Sequence, residues 1–265
     1  MKLGALKSPY DIRDYKMISK VSSEKEYPET FSLWTTDVKN QEDVNSCVAH
    51  VAAEIAEYFE HIQCNEEIEL SPGYIYGTRY EYQGEGMYLR DALRTLKNVG
   101  IVDEYRFPYN EEVPDIIQLV KEHSFDEKEL SHYQISSYFR CNSENDIKDA
   151  LMRCGPIMVS IEWFSDNKLE NNILIEGTKL SGYHAMLIYG WDEKGFKFMN
   201  SWGKEWGDNG KAILPYDYPR VECWGVTDTK VENHDFIVVP ERNKFLDFLY
   251  KIVNSIVNFF KKLFR

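Results

Sequence analysis

Val38-Lys39-Asn40-Gln41-Glu42-Asp43-Val44-Asn45-Ser46-Cys47 runs directly into Val48-Ala49-His50-Val51-Ala52-Ala53-Glu54-Ile55-Ala56-Glu57-Tyr58-Phe59. Apolar residues at 48, 51, 52, 55, 56 and 59 follow the i, i+3, i+4, i+7 spacing of a helix with one buried face. Asn45 or Ser46 stands where an N-cap belongs, which places Cys47 in the first turn. Unpaired backbone N–H groups there favour an anion, so a thiol at this position is expected to lose its proton easily and act as a nucleophile. Taken alone, the stretch reads more readily as a helix whose first turn holds a small apolar cysteine.

Outward from this helix the chain divides into two characters. On the N-terminal side, residues 1–26 are polar and read as an extended strap. On the C-terminal side, Ser71-Pro72 restarts helix with a cap and a proline at the first helical position, and Leu89 to Val99 reads as a helix stopped by Gly100. The chain is predicted to be mainly helical to about residue 125. Beyond it, Tyr133-Gln134-Ile135-Ser136 and Pro156 to Ile161 are β-rich, with a capped helix from Asn142 to Arg153 between them. His184 to Trp191, Gly195 to Asn200 and Gly210 to Leu214 read as short strands separated by glycine turns. A helical half followed by an antiparallel half predicts an α+β fold with a cleft between them.

His184 lies 137 residues after Cys47 and Asn200 lies 16 after His184. Two strands joined by the turn Trp191-Asp192-Glu193-Lys194-Gly195 run antiparallel, so the start of one sits beside the end of the next. That brings His184 and Asn200 together, as a base and its orienting partner require. Asn200 would accept from one imidazole nitrogen and leave the other for a thiol, with Trp202 covering the bond. Singly, His184 is as readily a satisfied core histidine and Asn200 a turn residue; jointly with Cys47 they point to nucleophilic catalysis.

Gln41 six residues before Cys47, Gly182-Tyr183-His184-Ala185, and Asn200-Ser201-Trp202-Gly203-Lys204-Glu205-Trp206-Gly207-Asp208-Asn209-Gly210 together resemble the papain family of cysteine peptidases over about residues 27–240. The resemblance implies a helical lobe (about 40–130) and an antiparallel β-barrel lobe (about 131–240), with an extended peptide or protein substrate between them. It implies Cys47 as nucleophile, His184 as general acid and base, Asn200 as orienter, and Gln41 as an oxyanion donor with the Cys47 backbone N–H. Gly86, Asn45 and Trp202 are the substrate-binding positions, and neither metal nor organic cofactor is implied. Hydrolysis through an acyl-enzyme is the expected reaction; transamidation or ligation by the same triad, and a degenerate binding module, are the alternatives.

The departures are local. The family's Cys-Gly-Ser-Cys-Trp run is Val44-Asn45-Ser46-Cys47-Val48 here, which removes a family disulfide. Asn in place of Gly tolerates positive φ, yet polarises the wall beside Cys47. The Gly-Gly element is reduced to Gly84-Glu85-Gly86. Only 46 residues precede Cys47, fewer than the long propeptide of family zymogens, and Ser8-Pro9-Tyr10-Asp11-Ile12-Arg13-Asp14-Tyr15 resembles the short strap of bacterial members. It reads either as packing or as a gate across the cleft.

The remaining expectations come from composition and the far end. With 43% hydrophobic and 28% charged residues the chain is of a globular class, and its net charge of -13 excludes nonspecific nucleic-acid binding. Five cysteines (Cys47, Cys64, Cys141, Cys154, Cys223) show no zinc spacing and suit a reducing compartment, with a Cys141–Cys154 pair left open. Without an apolar run long enough for a leader or a membrane span, the chain reads as cytoplasmic or exported without a cleaved leader. From Lys244 to Arg265 the apolar residues fall in one arc of about 200°, with Lys244, Lys251, Lys261, Lys262 and Arg265 against the single acid Asp247. Such a helix suits an anionic membrane surface, docking on its own domain, or self-association.

Overall fold

Helix α1 (Cys47–Cys64) is the axis of the molecule, described in a computed structural model over residues 2–19, 27–79, 85–109, 120, 124–228 and 236–240. Every residue from Cys47 to Glu60 is buried, more than the one apolar face the sequence predicts. The helix is clasped on all sides, so His50, Glu54, Glu57 and Glu60 are taken inside with it. It ends at Asn65, which adopts the left-handed conformation (φ 57°) that asparagine tolerates and returns its amide to the His61 carbonyl.

Three further helices obey their local signals. In α2 (Pro72–Gly77) the Ser71 hydroxyl accepts from the Tyr74 amide. Helix α3 (Leu89–Asn98) stops short of Gly100, whose φ of 105° and 1.7 Å separation between a built Cβ and the Leu130 carbonyl leave room for glycine alone. After the short α4 (Glu127–His132), α5 (Glu144–Arg153) opens on a full capping box between Ser143 and Asp146.

The strands are β1 (Ala5–Leu6), β2 (Tyr15–Ser19), β3 (Phe31–Ser32), β4 (Met87–Tyr88), β5 (Ser137–Arg140), β6 (Ile157–Phe164), β7 (Lys168–Glu170), β8 (Ile173–Ile175), β9 (Leu180–Trp191), β10 (Gly195–Met199), β11 (Lys211–Pro215), β12 (Arg220–Thr227) and β13 (Phe236–Pro240). Their main path runs β13-β2-β5-β12-β6-β9-β10-β11-β8-β7. The long β6/β9 pair sets Ile161 opposite His184, and β9 returns through a tight turn into β10 with Trp191 opposite Phe196. The strand predicted over 133–136 begins instead at Ser137, because Tyr133 ends α4 and the Ile135 amide donates back to the Leu96 carbonyl. Described residues 99–109, predicted within the helical half, are irregular.

Two cores result. One gathers Ile55, Phe59, Ile75, Leu89 and Leu93 around α1; the other fills the sheet with Phe139, Ile161, Trp191, Phe196 and Phe198. Each fully buried side chain of this size contributes about 1.5–3 kcal/mol. The strap joins both sides of the molecule. Strand β1 runs parallel to β4 (Ala5 opposite Met87) and antiparallel to β9 (Ala5 opposite Tyr183), while β2 lies between β13 and β5. All five cysteines are free thiols, and Cys141 lies beside Cys223, to whose carbonyl its amide donates. Gly84 and the amphipathic stretch Lys244–Arg265 lie outside the described residues.

Candidate active site

Cys47 opens α1 with Ser46 in the N-cap position. The serine hydroxyl makes no capping bond to the helix, because it is spent on Tyr109 and His50. The thiol lies in hydrogen-bonding reach of the Ala185 amide, the neighbour of His184 on β9. Across the β9/β10 hairpin, His184 Nε2 donates to Asn200 Oδ1 at 2.7 Å. An amide oxygen only accepts, so this bond fixes the tautomer with its proton on Nε2. His184 Nδ1 is buried with no hydrogen-bond partner among the described residues. Asn200 Oδ1 also accepts from the Ser201 amide at 2.8 Å.

Trp202 stacks on the imidazole, with ring centroids 4.3 Å apart at 20°. A second tryptophan, Trp163 on β6, presents its edge to His184 at 5.4 Å and to Trp202 at 4.8 Å. Sequence reasoning missed Trp163. Its signal lay in the pleat, since it stands two residues after Ile161 on the strand that pairs with His184, but that pairing was not readable from local pattern.

Gln41 is fully buried and held from the opposite loop. Its Oε1 accepts from the Ser201 hydroxyl at 2.8 Å, and its backbone amide donates to the Ser201 carbonyl at 2.9 Å. The Asn40–Trp202 bridge and the Gly203 amide on the Lys39 carbonyl complete this zipper. The Gln41 Nε2 group, expected to face a substrate oxyanion, instead donates to the Val44 carbonyl at 2.8 Å and the Lys2 carbonyl at 3.2 Å.

The strap is therefore in the cleft. The Met87 amide donates to the Gly4 carbonyl at 2.8 Å, and a Cβ built on Gly4 would stand 2.0 Å from the Asn45 carbonyl. Gly86, assigned to substrate backbone, has φ 91° and sits where a side chain would meet the same Gly4 carbonyl at 2.7 Å. Asn45, expected to take the positive φ of a lost glycine, does not; Glu42 is the left-handed residue of this turn (φ 48°). The Asn45 side-chain Nδ2 instead donates to the Glu85 carboxylate at 2.6 Å.

This covering reverses the acidity expected at Cys47. Burial pushes the thiol up to about 11, against the pull of the Ala185 and Gly4 amides. Burial likewise lowers His184 to about 4, partly offset by Asn200. Desolvation outweighs the helix start, and, buried as they are, both the Cys47 thiol and the His184 imidazole are neutral at neutral pH.

Farther along, the strap is pinned by buried charge. The Ser8 amide and hydroxyl donate to Glu222 at 3.1 and 3.0 Å. Arg90 clamps both oxygens of Asp14 at 2.7 and 2.6 Å. Arg140 bridges Asp14 (3.0 Å) and Glu222 (3.2 Å), with its guanidinium 4.2 Å from the Trp224 ring.

A cysteine at a helix start, an imidazole held by an asparagine and a buried glutamine are the groups from which cysteine-nucleophile acyl-transfer sites are built. Residues 27–220 match the model of the papain family cysteine proteases, and the chain belongs to that family. It is 27% identical over 202 residues to a cysteine protease of Blomia tropicalis, covering 68% of this chain and 57% of that protein. It is 28% identical over 183 residues to a viral cathepsin of Adoxophyes honmai nucleopolyhedrovirus, covering 66% and 52%. The chain thus spans little more than half the length of these relatives. Among solved structures, xylellain, a cysteine protease from Xylella fastidiosa, superposes with a TM-score of 0.73 at 23% identity, covering 86% of this chain and 96% of that one. Digestive procathepsin L 3 of Tenebrio molitor gives 0.61 at 19% identity, covering 82% and 76%. The fold is papain-like α+β.

Proposed function

We propose that this chain hydrolyses peptide bonds through an acyl-enzyme on Cys47 and that its strap holds the site closed. The bond from His184 Nε2 to Asn200, which leaves Nδ1 without a partner among the described residues, carries the reading. With the cleft open, Nδ1 takes the Cys47 proton and Sγ attacks the substrate carbonyl carbon. Gln41 Nε2 and the Cys47 amide hold the oxyanion. Collapse breaks the C–N bond as the imidazolium returns its proton to the departing amine. Water, deprotonated by His184, then cleaves the thioester and restores the thiol.

The test is labelling of the full chain with a thiol-directed epoxide, beside cleavage of a mixed peptide library. Cys47→Ala should abolish both, whereas Cys64, Cys141, Cys154 and Cys223 variants keep both. Labelling that survives Cys47→Ala overturns the nucleophile assignment. Products joined to an added amine, in preference to free acids, would replace hydrolysis by transamidation or ligation; binding without turnover would leave a degenerate module.

The segregation of apolar and basic residues from Lys244 to Arg265 supports peripheral attachment of a cytoplasmic enzyme to an anionic membrane. Co-sedimentation with anionic vesicles should occur at low salt, weaken at high salt and vanish on truncation after about residue 240. No pelleting at low salt removes the membrane reading.

A further inference from the structure

Both oxyanion donors, the Gln41 side chain and the Cys47 amide, belong to one short loop, and its geometry fixes their separation. Inside it, the Val44 amide donates to the Gln41 carbonyl at 3.2 Å and the Ser46 amide to the Val44 carbonyl at 2.9 Å. Behind it stands Tyr109, whose hydroxyl donates to the Gln41 carbonyl at 2.7 Å and lies 2.9 Å from Ser46 Oγ. A phenol has one proton and a carbonyl cannot donate, so the Ser46 hydroxyl gives its own proton to Tyr109.

The tie continues one turn into α1. His50 Nδ1 lies 3.0 Å from the Ser46 carbonyl and 3.3 Å from Ser46 Oγ, so Nδ1 bears the proton. The His50 ring meets Tyr109 edge-on at 4.7 Å. Ser46 and His50 are both sealed from solvent. The two His50 contacts are thus made where an unmade bond is costly, while the Tyr109 bonds are part-buried. One phenolic oxygen joins residue 41 to residue 46, the two ends of the loop that presents the donors.

We infer that Tyr109 is a positioning residue of the oxyanion hole, setting the distance between the Gln41 and Cys47 donors without touching substrate. This rests on the peptidase reading of Cys47. Ser201 holds the Gln41 side chain independently, so losing the Tyr109 hydroxyl loosens the hole without abolishing it. Its effect should therefore fall below the 10²–10³ cost of deleting a donor outright.

The experiment compares Tyr109→Phe with the parent in the full chain, using a peptide amide and iodoacetamide, with alkylation read at Cys47 by peptide mapping because Cys64 is an exposed free thiol. Alkylation needs the thiolate but no oxyanion hole, and the strap must move aside for both reactions, so their ratio is free of strap opening. Expected are a fall in kcat of about tenfold, KM within about twofold, and an unchanged alkylation rate. Amide hydrogen exchange should quicken in peptides covering 41–47 and stay constant in those covering 52–64. Unchanged kcat, an equal fall in alkylation, or unchanged exchange at 41–47 overturns the inference. A parent chain that neither cleaves peptide nor is alkylated at Cys47 strikes the peptidase reading, and the exchange comparison then decides the tie. Should Tyr109→Phe fail to fold, Ser46→Ala removes the other end of the tie and must give the same pattern.

Discussion

At the level of single residues, Gln41 and Gly4 make opposite predictions. Gln41→Ala removes an oxyanion donor and should cost about 10²–10³ in turnover; a steady-state assay showing full turnover would place the oxyanion hole elsewhere. Gly4→Ala sets a methyl 2.0 Å from the Asn45 carbonyl, so the strap must lift, and turnover should rise. The sign of the pH effect follows. Burial holds the Cys47 thiol up at about 11, so uncovering it lowers its pKa and raises the thiolate fraction at neutral pH. The pH profile of alkylation at Cys47 in Gly4→Ala should shift to lower pH than the parent's; superimposable profiles would mean that the strap is not what buries the thiol. Cys47, His184 and Asn200 were legible as candidates because a nucleophile, a base and its orienter need such residue types, and Gln41 only through the family pattern it resembles. Gly4 was not, since its reason is a carbonyl far along the chain.

Among the elements, the helices with local caps were readable and the strap's pairings were not. Ser71-Pro72, Ser143 and Gly100 act within a few residues of themselves, so α2, α3 and α5 could be placed from their ends. The parallel match of β1 to β4 joins segments with no shared turn, and nothing local announces it. Neither did Ser8 and Asp14 reveal that they enter a buried cluster with Arg90, Arg140 and Glu222. Asp14→Ala takes from Arg90 and Arg140 the carboxylate they share, and truncating one partner of a buried pair typically costs about 3–5 kcal/mol. The expected outcome is a lower Tm together with faster cleavage, read by melting and a peptide assay on the same sample. A lower Tm with an unchanged rate would show that the strap packs without gating.

For the molecule as a whole, two cores meet along α1, which draws ionisable groups inside. Glu54 is fully buried and neither of its oxygens has a hydrogen-bond partner among the described residues. Burial raises its pKa well above 4.5, with Lys39 and Lys211 pulling it down and Glu57 adding to the rise. The folded chain therefore holds a proton that the unfolded chain has released above about pH 4.5, and stability declines as pH rises from there. Glu54→Leu should raise Tm at pH 8, by an amount reflecting about 1–3 kcal/mol, and should leave it nearly unchanged at pH 4. A Tm difference independent of pH would mean that Glu54 is paired. The anchoring of the strap at Ser8, only a few residues beyond Gly4, has a kinetic consequence of its own. An occupant tethered so closely acts at an effective concentration on the order of millimolar, with main-chain bonds to both walls of the cleft. A free peptide must compete against that figure whatever its intrinsic affinity, so the intact chain should respond almost linearly to substrate over a range in which an untethered site would already be saturated.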